Sequence, residues 1–464
     1  MRGVWTTDRV KAAEQKLFRT VPEATLMRRA AFGVAICAAE LKPRKVLLLV
    51  GAGNNGGDAL WAGAFLRRRG VAVDAVLLKP ERAHEAGLAA YRRAGGRIVD
   101  EPGAADVVID GIVGISGKGP LRPDAAELVA RITAPIIAVD LPSGVDPDTG
   151  AEDGPCVDAA ITVTFGGRKP VHALSARCGE VRVLDIGLGA ALGEPDFGVI
   201  ERQDVAEAWP VPGPVDDKYT QGVTGIAAGS ATYPGAAVLS ASGAVLSTSG
   251  MVRYAGTAAE IVSQRWPEVV ATGAIEDAGR VQAWVVGPGI GTGAAGRELM
   301  EHVLGIGVPV CVDADGITLL SEHPTLWDRR DPDTPLVLTP HDREFARLAP
   351  LGKDRVASAK SLARRVNAVV LLKGYNTIVA APDGRVLVNQ APSAWLATAG
   401  SGDVLSGILG ALLAAGIDPW LAAGCAAYVH AHAGTYAASG APAPASEIAG
   451  ALSGTIRWLR GTQT

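Results

Sequence analysis

The 464-residue chain is predicted to be an α/β protein of two domains. Three observations carry this. The length exceeds what one hydrophobic core usually serves. Short apolar runs alternate with helical stretches along the whole chain, the βαβ rhythm of a parallel sheet. Between two such regions lies Trp209-Pro-Val-Pro-Gly-Pro-Val-Asp-Asp-Lys218, whose prolines read as a linker. The domains are therefore placed at 1–208 and 211–464.

Composition narrows the partners. A net charge of −4 leaves no electrostatic footprint for nucleic acid or an anionic membrane, so small metabolites are expected. The 58 glycines against only 5% aromatics suit tight strand-to-helix turns that approach ligands closely. Cys37, Cys156, Cys178, Cys311 and Cys425 are scattered without a Cys-x-x-Cys pair, which points to a reducing, cytoplasmic setting. The N-terminus shows no signal-peptide core. Tyr219 to Val252 lacks any charge, but its Gly, Ser, Thr and Pro234 fit a strand, a loop and a small-residue helix better than a membrane span. Val404 to Ile417 reads as a buried helix. A homo-oligomer is expected.

In the first half the strands are predicted at Lys45–Val50, Val71–Leu78, Val107–Ile109, Ile136–Val139, Ala159–Phe165 and Val181–Ile186. The first runs into Gly51-Ala-Gly-Asn-Asn-Gly-Gly-Asp58 and then a helical pattern through Arg69, a plausible phosphate or dinucleotide cradle. Asn54 and Asn55 offer amide oxygens suited to a ligand or a hard cation; equally, asparagines tolerate turn geometry. Asp110 leads into a flexible loop ending at Pro120. Asp140 closes an apolar strand, where a carboxylate is costly unless paired or used.

In the second half the strands are predicted at Val223–Ala228, Ala283–Val286, Val308–Val312, Leu336–Leu338, Val369–Leu372 and Thr377–Ala380, with helices near 404–416 and 419–438. Gly229-Ser-Ala-Thr-Tyr-Pro-Gly235, Val286-Gly-Pro-Gly-Ile-Gly291, Val312-Asp-Ala-Asp-Gly316, Leu338-Thr-Pro-His-Asp-Arg-Glu344 and Leu372-Lys-Gly-Tyr-Asn-Thr377 each follow a strand and so surround one crevice. Thr398-Ala-Gly-Ser-Gly-Asp403 opens a helix. The N–H groups of Gly400, Ser401 and Gly402 would form an anion hole with Asp403 as a base beside it, the pair that phosphoryl transfer requires. The alternative is an N-cap on a tight turn. His430 and His432, two apart on a helix, are assigned to packing rather than metal binding.

Gly51–Asp58, the Asp110 loop and Val139-Asp-Leu-Pro-Ser-Gly-Val-Asp-Pro-Asp-Thr-Gly150, with Leu26-Met27 before them, resemble NAD(P)H-hydrate epimerase. The resemblance implies a Rossmann-like three-layer sandwich. It implies that Asn54, Asn55, Gly56, Gly57 and Asp58, with Gly114, Ile115, Ser116, Gly117, Lys118, Gly119 and Pro120, hold the hydrated cofactor. Asn55, Asp110 and Ser143 would ligate potassium, Asp140 would do acid/base work, and Lys79 is a candidate second catalytic group. Ala59 stands where the family usually has glycine, and its methyl group is expected to narrow the pocket.

The second half, from about residue 216, resembles the ribokinase-like NAD(P)H-hydrate dehydratase through GSATYPGAAVL, VVGPGIG, VDADG, LTPHDRE, LLKG and ATAGSGDVLSG. By resemblance, Ala237, Gly289, His341 and Asp403 contact the hydrated nicotinamide, while Lys373, Gly374, Tyr375, Asn376 and Thr377 with Gly402 bind the adenine nucleotide. ADP would be co-substrate, with magnesium positioned by Glu344. Leu246-Ser-Thr-Ser-Gly-Met251 departs from the family's Arg-Ala-Gly-Ala-Gly. The expected activity is therefore repair of hydrated NADH and NADPH. Its rivals are a small-molecule kinase releasing a stable phosphorylated product, and a first domain that is only a scaffold.

Overall fold

The structure, a computed structural model, describes residues 1–248 and 250–461. The chain divides into two compact units, Gly3–Phe197 and Gly198–Thr464 with Met1 and Arg2. The first unit carries a parallel sheet in the order Arg97–Ile98, Ala72–Leu77, Lys45–Val50, Val107–Gly111, Ile136–Val139, Ile161–Phe165, Glu180–Leu184. Alternation along one strand explains the layers. Val46, Leu48 and Val50 enter a core with Val34 and Leu60, whereas Leu47 and Leu49 enter a second core with Leu121 and Leu128. Both faces are thus covered, giving three layers. The strand order reverses beside Lys45–Val50, the place where open sheets of this kind bind ligands.

The second unit's sheet runs Val386–Gln390, Asn376–Ala380, Val369–Leu372, Leu336–Leu338, Val310–Val312, Ala283–Val286, Val223–Ala227, Met251–Ala255, Val270–Thr272. Pairing is parallel except where Asn376–Ala380 lies antiparallel to both its neighbours. The loop Lys373–Tyr375 therefore turns at the same edge where the parallel strands end, which puts the glycine and acidic loops together. Helices Pro234–Val245 and Ser401–Ala414 pack backbone to backbone: a side chain on Gly243 would strike the Val404 carbonyl, and one on Gly407 the Ser240 carbonyl. Hence the run of small residues that resembled a span. Among the described residues no helix is long and apolar enough to cross a membrane.

The boundary differs from the sequence reading. Helix Arg202–Ala208 and the proline segment both belong to the second unit. The cause is packing: Gly198 and Val199 pair with Leu387 and Val388, and Ile200, Val205 and Trp209 are buried in the second core. Residues 211–220 are exposed, so the prolines mark a surface loop within a unit rather than the joint. The strands Met251–Ala255, Val270–Thr272 and Val386–Gln390 were also not expected; the second has only three residues. Ser249, within the departing Leu246–Met251 segment, lies outside the described residues, as do residues 462–464.

Candidate active sites

In the second unit Asp403 sits in the first turn of helix Ser401–Ala414, which begins after Gly400 at a φ of 82°. Gly400 is the N-cap residue and no side chain caps the helix, so the capping alternative for Asp403 falls. The anion hole is smaller than expected. Ser401 N–H turns back to the Thr398 carbonyl at 3.4 Å, removing one of the three anticipated donors. Burial first, and then the charges of Asp313 and Asp315 against the opposing pull of Lys373, push the Asp403 carboxyl up to about 7.

Lys373 is fixed by a 2.7 Å bond to Asp313, whose other oxygen accepts from Ser406 Oγ at 2.8 Å. Burial alone would lower this ammonium, but Asp313 and Glu344 hold it above its usual value. A side chain on Gly402 would meet both Asp313 Oδ2 and Lys373 Nζ at 3.5 Å, so Gly402 keeps the approach open. Gly374 and Tyr375 are exposed on the neighbouring turn, Thr377 is half-buried, and Asn376 is buried with Oδ1 unpartnered. Ala237 packs at the start of helix Pro234–Val245 beside Gly229, and Gly289 takes a φ of 64° against Tyr233. His341 is an exposed N-cap whose Nδ1 accepts from Arg343 and Glu344 N–H. Glu344 returns the capping box to His341 N at 2.8 Å and faces Lys373 Nζ at 3.7 Å.

In the first unit a cavity of about 820 Å³ opens at the carboxyl edge of the sheet. Asn54, Asn55, Asp58, all of Gly114–Pro120, Lys79 and Asp140 line it. Gly56 and Gly57 lie behind, where side chains would strike the Gly51 carbonyl and the His84 ring. Ala59 is fully buried against Gly111 and faces the core, so its methyl group does not narrow the pocket.

Asp140 adopts a φ of 68°, an uncommon conformation for a non-glycine residue, at the end of its strand. Its Oδ1 accepts from Lys169 Nζ at 2.5 Å and Thr164 Oγ1 at 3.0 Å, and its carbonyl meets His172 Nε2 at 2.7 Å. His172 Nδ1 accepts from Lys169 N–H, so Nε2 carries the ring proton, and burial drives this imidazole down to about 3. Burial alone would raise Asp140, but the Lys169 ammonium holds it below the usual carboxylate range. Asp58 is the opposite case. Burial, then Asp140 and Glu14, push it well above that range, and its Oδ1 has no partner. Asp110 is fully buried and bonds Ser143 N and Oγ; burial raises it to about 6. The Asn55 amide oxygen faces the backbone at Gly114.

Residues 224–452 match the NAD(P)H-hydrate dehydratase family, and residues 23–171 match the family described as YjeF-related protein N-terminus. The chain is 56% identical over 431 residues to the bifunctional NAD(P)H-hydrate repair enzyme of Mycobacterium tuberculosis, with 90% of each chain covered. To that of Mycobacterium leprae it is 54% identical over 453 residues, with 95% of each covered. The chain belongs to the bifunctional NAD(P)H-hydrate repair enzyme family. Among solved structures, an ADP/ATP-dependent NAD(P)H-hydrate dehydratase from Bacillus subtilis, co-crystallised with ATP and Mg²⁺, aligns with a TM-score of 0.51 at 26% identity, over 57% of this chain and 99% of its own. A ribokinase-like superfamily protein from Enterococcus faecalis aligns with a TM-score of 0.51 at 22% identity, over 57% of this chain and 96% of its own, so the second unit has the ribokinase-like fold, as expected.

For this member of the repair enzyme family, sequence reading missed Lys169, Thr164, His172 and Asp313. The lysine bonded to Asp140 is Lys169, while Lys79 lines the same cavity. Lys169 lies in Gly166-Gly-Arg-Lys-Pro170, a stretch with no motif of its own; its only signal was its place just past a strand three places from the one that leads into the glycine turn. Asp313 was visible in Val312-Asp-Ala-Asp-Gly316, but nothing in the spacing singled it out from Asp315. His430 and His432 are packing residues as read: His430 is buried, and His432 lies between the Tyr428 and Trp458 rings at 4.3 and 4.8 Å.

Proposed function

We propose that the two units divide the repair of hydrated NADH and NADPH, the first exchanging the R and S epimers and the second dehydrating the S epimer with ADP. The observation that supports this is a pair of carboxylates shifted in opposite directions, Asp140 held ionised against Lys169 and Asp403 pushed up to about 7, where it can take up a proton near neutral pH. In the second unit Asp403 takes the proton from the C6 hydroxyl as that oxygen attacks the terminal phosphoryl group, releasing AMP. Lys373 and the Gly400 and Gly402 N–H groups face the phosphate charge. The ring nitrogen's lone pair then expels phosphate, and loss of the C5 proton restores the double bond.

In the first unit Asp58, whose burial favours the protonated carboxyl, gives its proton to the departing C6 hydroxyl while the ring nitrogen forms a C=N bond. Asp140 removes a proton from the water that adds to the other face, and both carboxyls reset through solvent.

The residues fit a potassium ion. Asp110 is a fully buried carboxylate beside Ser143, and Asn55 supplies an amide oxygen, a hard donor set. The ion would neutralise Asp110 and set the Gly114 loop. Among the described residues no three His, Cys, Asp or Glu side chains group to hold a metal, so magnesium would arrive on the nucleotide's phosphates and shield their charge. The reading includes a cytoplasmic homo-oligomer, which light scattering of purified protein tests. The deciding experiment incubates the protein with separately prepared R and S hydrates plus ADP or ATP and follows recovery of reduced-nicotinamide absorbance. Accumulation of a stable phosphorylated product instead would mark a kinase.

A further inference from the structure

We propose that Lys79 and Arg82 form a subsite for the 2′-phosphate of the adenosine ribose, so that the first unit favours hydrated NADPH over hydrated NADH. This rests on the epimerase reading of the same cavity. The sheet order fixes how a dinucleotide would lie. Asp140 and Lys169 follow the strands two and three places to one side of Lys45–Val50, while Lys79 and Arg82 follow Ala72–Leu77, one place to the other side. At roughly 4.8 Å per strand, the Asp140 and Lys79 strands are about 14 Å apart, a span suited to an extended dinucleotide. With the reacting ring at Asp140, the pyrophosphate falls near the N-terminus of helix Asn54–Arg68, and the adenosine ribose at the end of Ala72–Leu77.

That strand end is where dinucleotide folds read the ribose. An acidic side chain there accepts from a 2′-hydroxyl, whereas a basic one accommodates a 2′-phosphate. Here the chain reads Leu78-Lys-Pro-Glu-Arg82, and both cations line the cavity. Local geometry explains why they act together. Pro80 starts a 3₁₀ turn over Pro80–Arg82, closed by Arg82 N–H to the Lys79 carbonyl at 3.0 Å. Lys79 caps this turn in an extended conformation, and its side chain and that of Arg82 line the same cavity. Glu81 projects elsewhere, exposed and outside the cavity wall. A flexible ammonium and a planar guanidinium in one cavity suit a phosphate dianion.

The test uses the full chain without ADP, so that dehydration is silent, and follows R-to-S exchange by proton NMR at C6 for each hydrate. The wild type should show the higher kcat/KM for the NADPH hydrate. Lys79→Ala with Arg82→Ala should raise KM for the NADPH hydrate by about 10- to 100-fold, as loss of charged hydrogen bonds predicts, with kcat kept. With Arg82→Ala alone, the NADH hydrate should change less than about twofold, within the range of an ordinary surface substitution, while the NADPH hydrate still loses. As a readout independent of turnover, 2′,5′-ADP should compete better than 5′-AMP with the wild type, and the double variant should lose that difference. Equal losses for both hydrates, or no loss for either, would overturn the subsite while leaving the epimerase reading intact. No exchange of either hydrate by the wild type would overturn both.

Discussion

Asp140 and Asp403 are carboxylates at the ligand edges of two α/β sheets, and their surroundings drive them apart. Asp140 is buried but faces a lysine that is itself only 2% exposed, so it stays ionised and fixed. Asp403 is half-buried, and Lys373, the cation whose charge acts on it, is already bonded to Asp313 at 2.7 Å. The difference teaches that burial alone does not assign a role. What decides it is whether a counter-charge is committed to the carboxylate or to its neighbour.

The largest effect expected from this contrast is at Asp403. Asp403→Asn should lower S-hydrate dehydration by about 10²- to 10⁴-fold and leave R-to-S exchange unchanged. In the wild type, dehydration should rise with pH through about 7 as Asp403 ionises. The stability effect has the opposite sense. Because the folded-state pKa is raised, ionisation disfavours the fold progressively from near pH 4 up to about 7, so Asp403→Asn should raise Tm at pH 8 and not at pH 4. A flat pH profile for dehydration, or dehydration by the variant at near wild-type rate, removes Asp403 as the base.

Breaking the other site should injure the fold as well as the reaction. Lys169→Met leaves Asp140 buried without its cation, at a cost of about 3–5 kcal/mol in urea unfolding, and abolishes R-to-S exchange. Adding Asp140→Asn should return most of the stability but none of the exchange. If the single variant unfolds like the wild type, the pair is not what keeps Asp140 charged.

The two sites were unequally legible. Asp403, Gly402 and Lys373 sit in compact glycine-rich turns, so their chemistry could be read locally. Asp140 could be read too, since a carboxylate ends an apolar strand. Its partner could not: Lys169 lies 29 residues on, and only the pairing of Ile136–Val139 with Ile161–Phe165 brings it close. The boundary failed for a related reason. The prolines were visible, but the burial of Ile200, Val205 and Trp209 is a tertiary fact. A fragment of residues 211–464 should therefore be less stable in urea than one of 198–464, since each lost core side chain is worth about 1.5–3 kcal/mol. Equal midpoints would restore the proline segment as the joint.

The smallest effect expected is that of the potassium ion proposed for the first unit, and it sharpens the contrast between a committed lysine and an exchangeable ion. Asp140 has a covalently tethered counter-charge, whereas Asp110 is fully buried with hydrogen bonds from Ser143 and Ile112 but no ammonium or guanidinium bonded to it among the described residues. Replacing potassium with tetramethylammonium should slow R-to-S exchange severalfold, because oxygen donors cannot close around that large ion as they do around potassium, and should leave S-hydrate dehydration unchanged. Asp110→Asn keeps the shape of the group while removing its charge, so its residual exchange should no longer respond to the cation. A wild-type rate that is the same in both salts would show that hydrogen bonds alone hold Asp110, and that the first unit needs no ion.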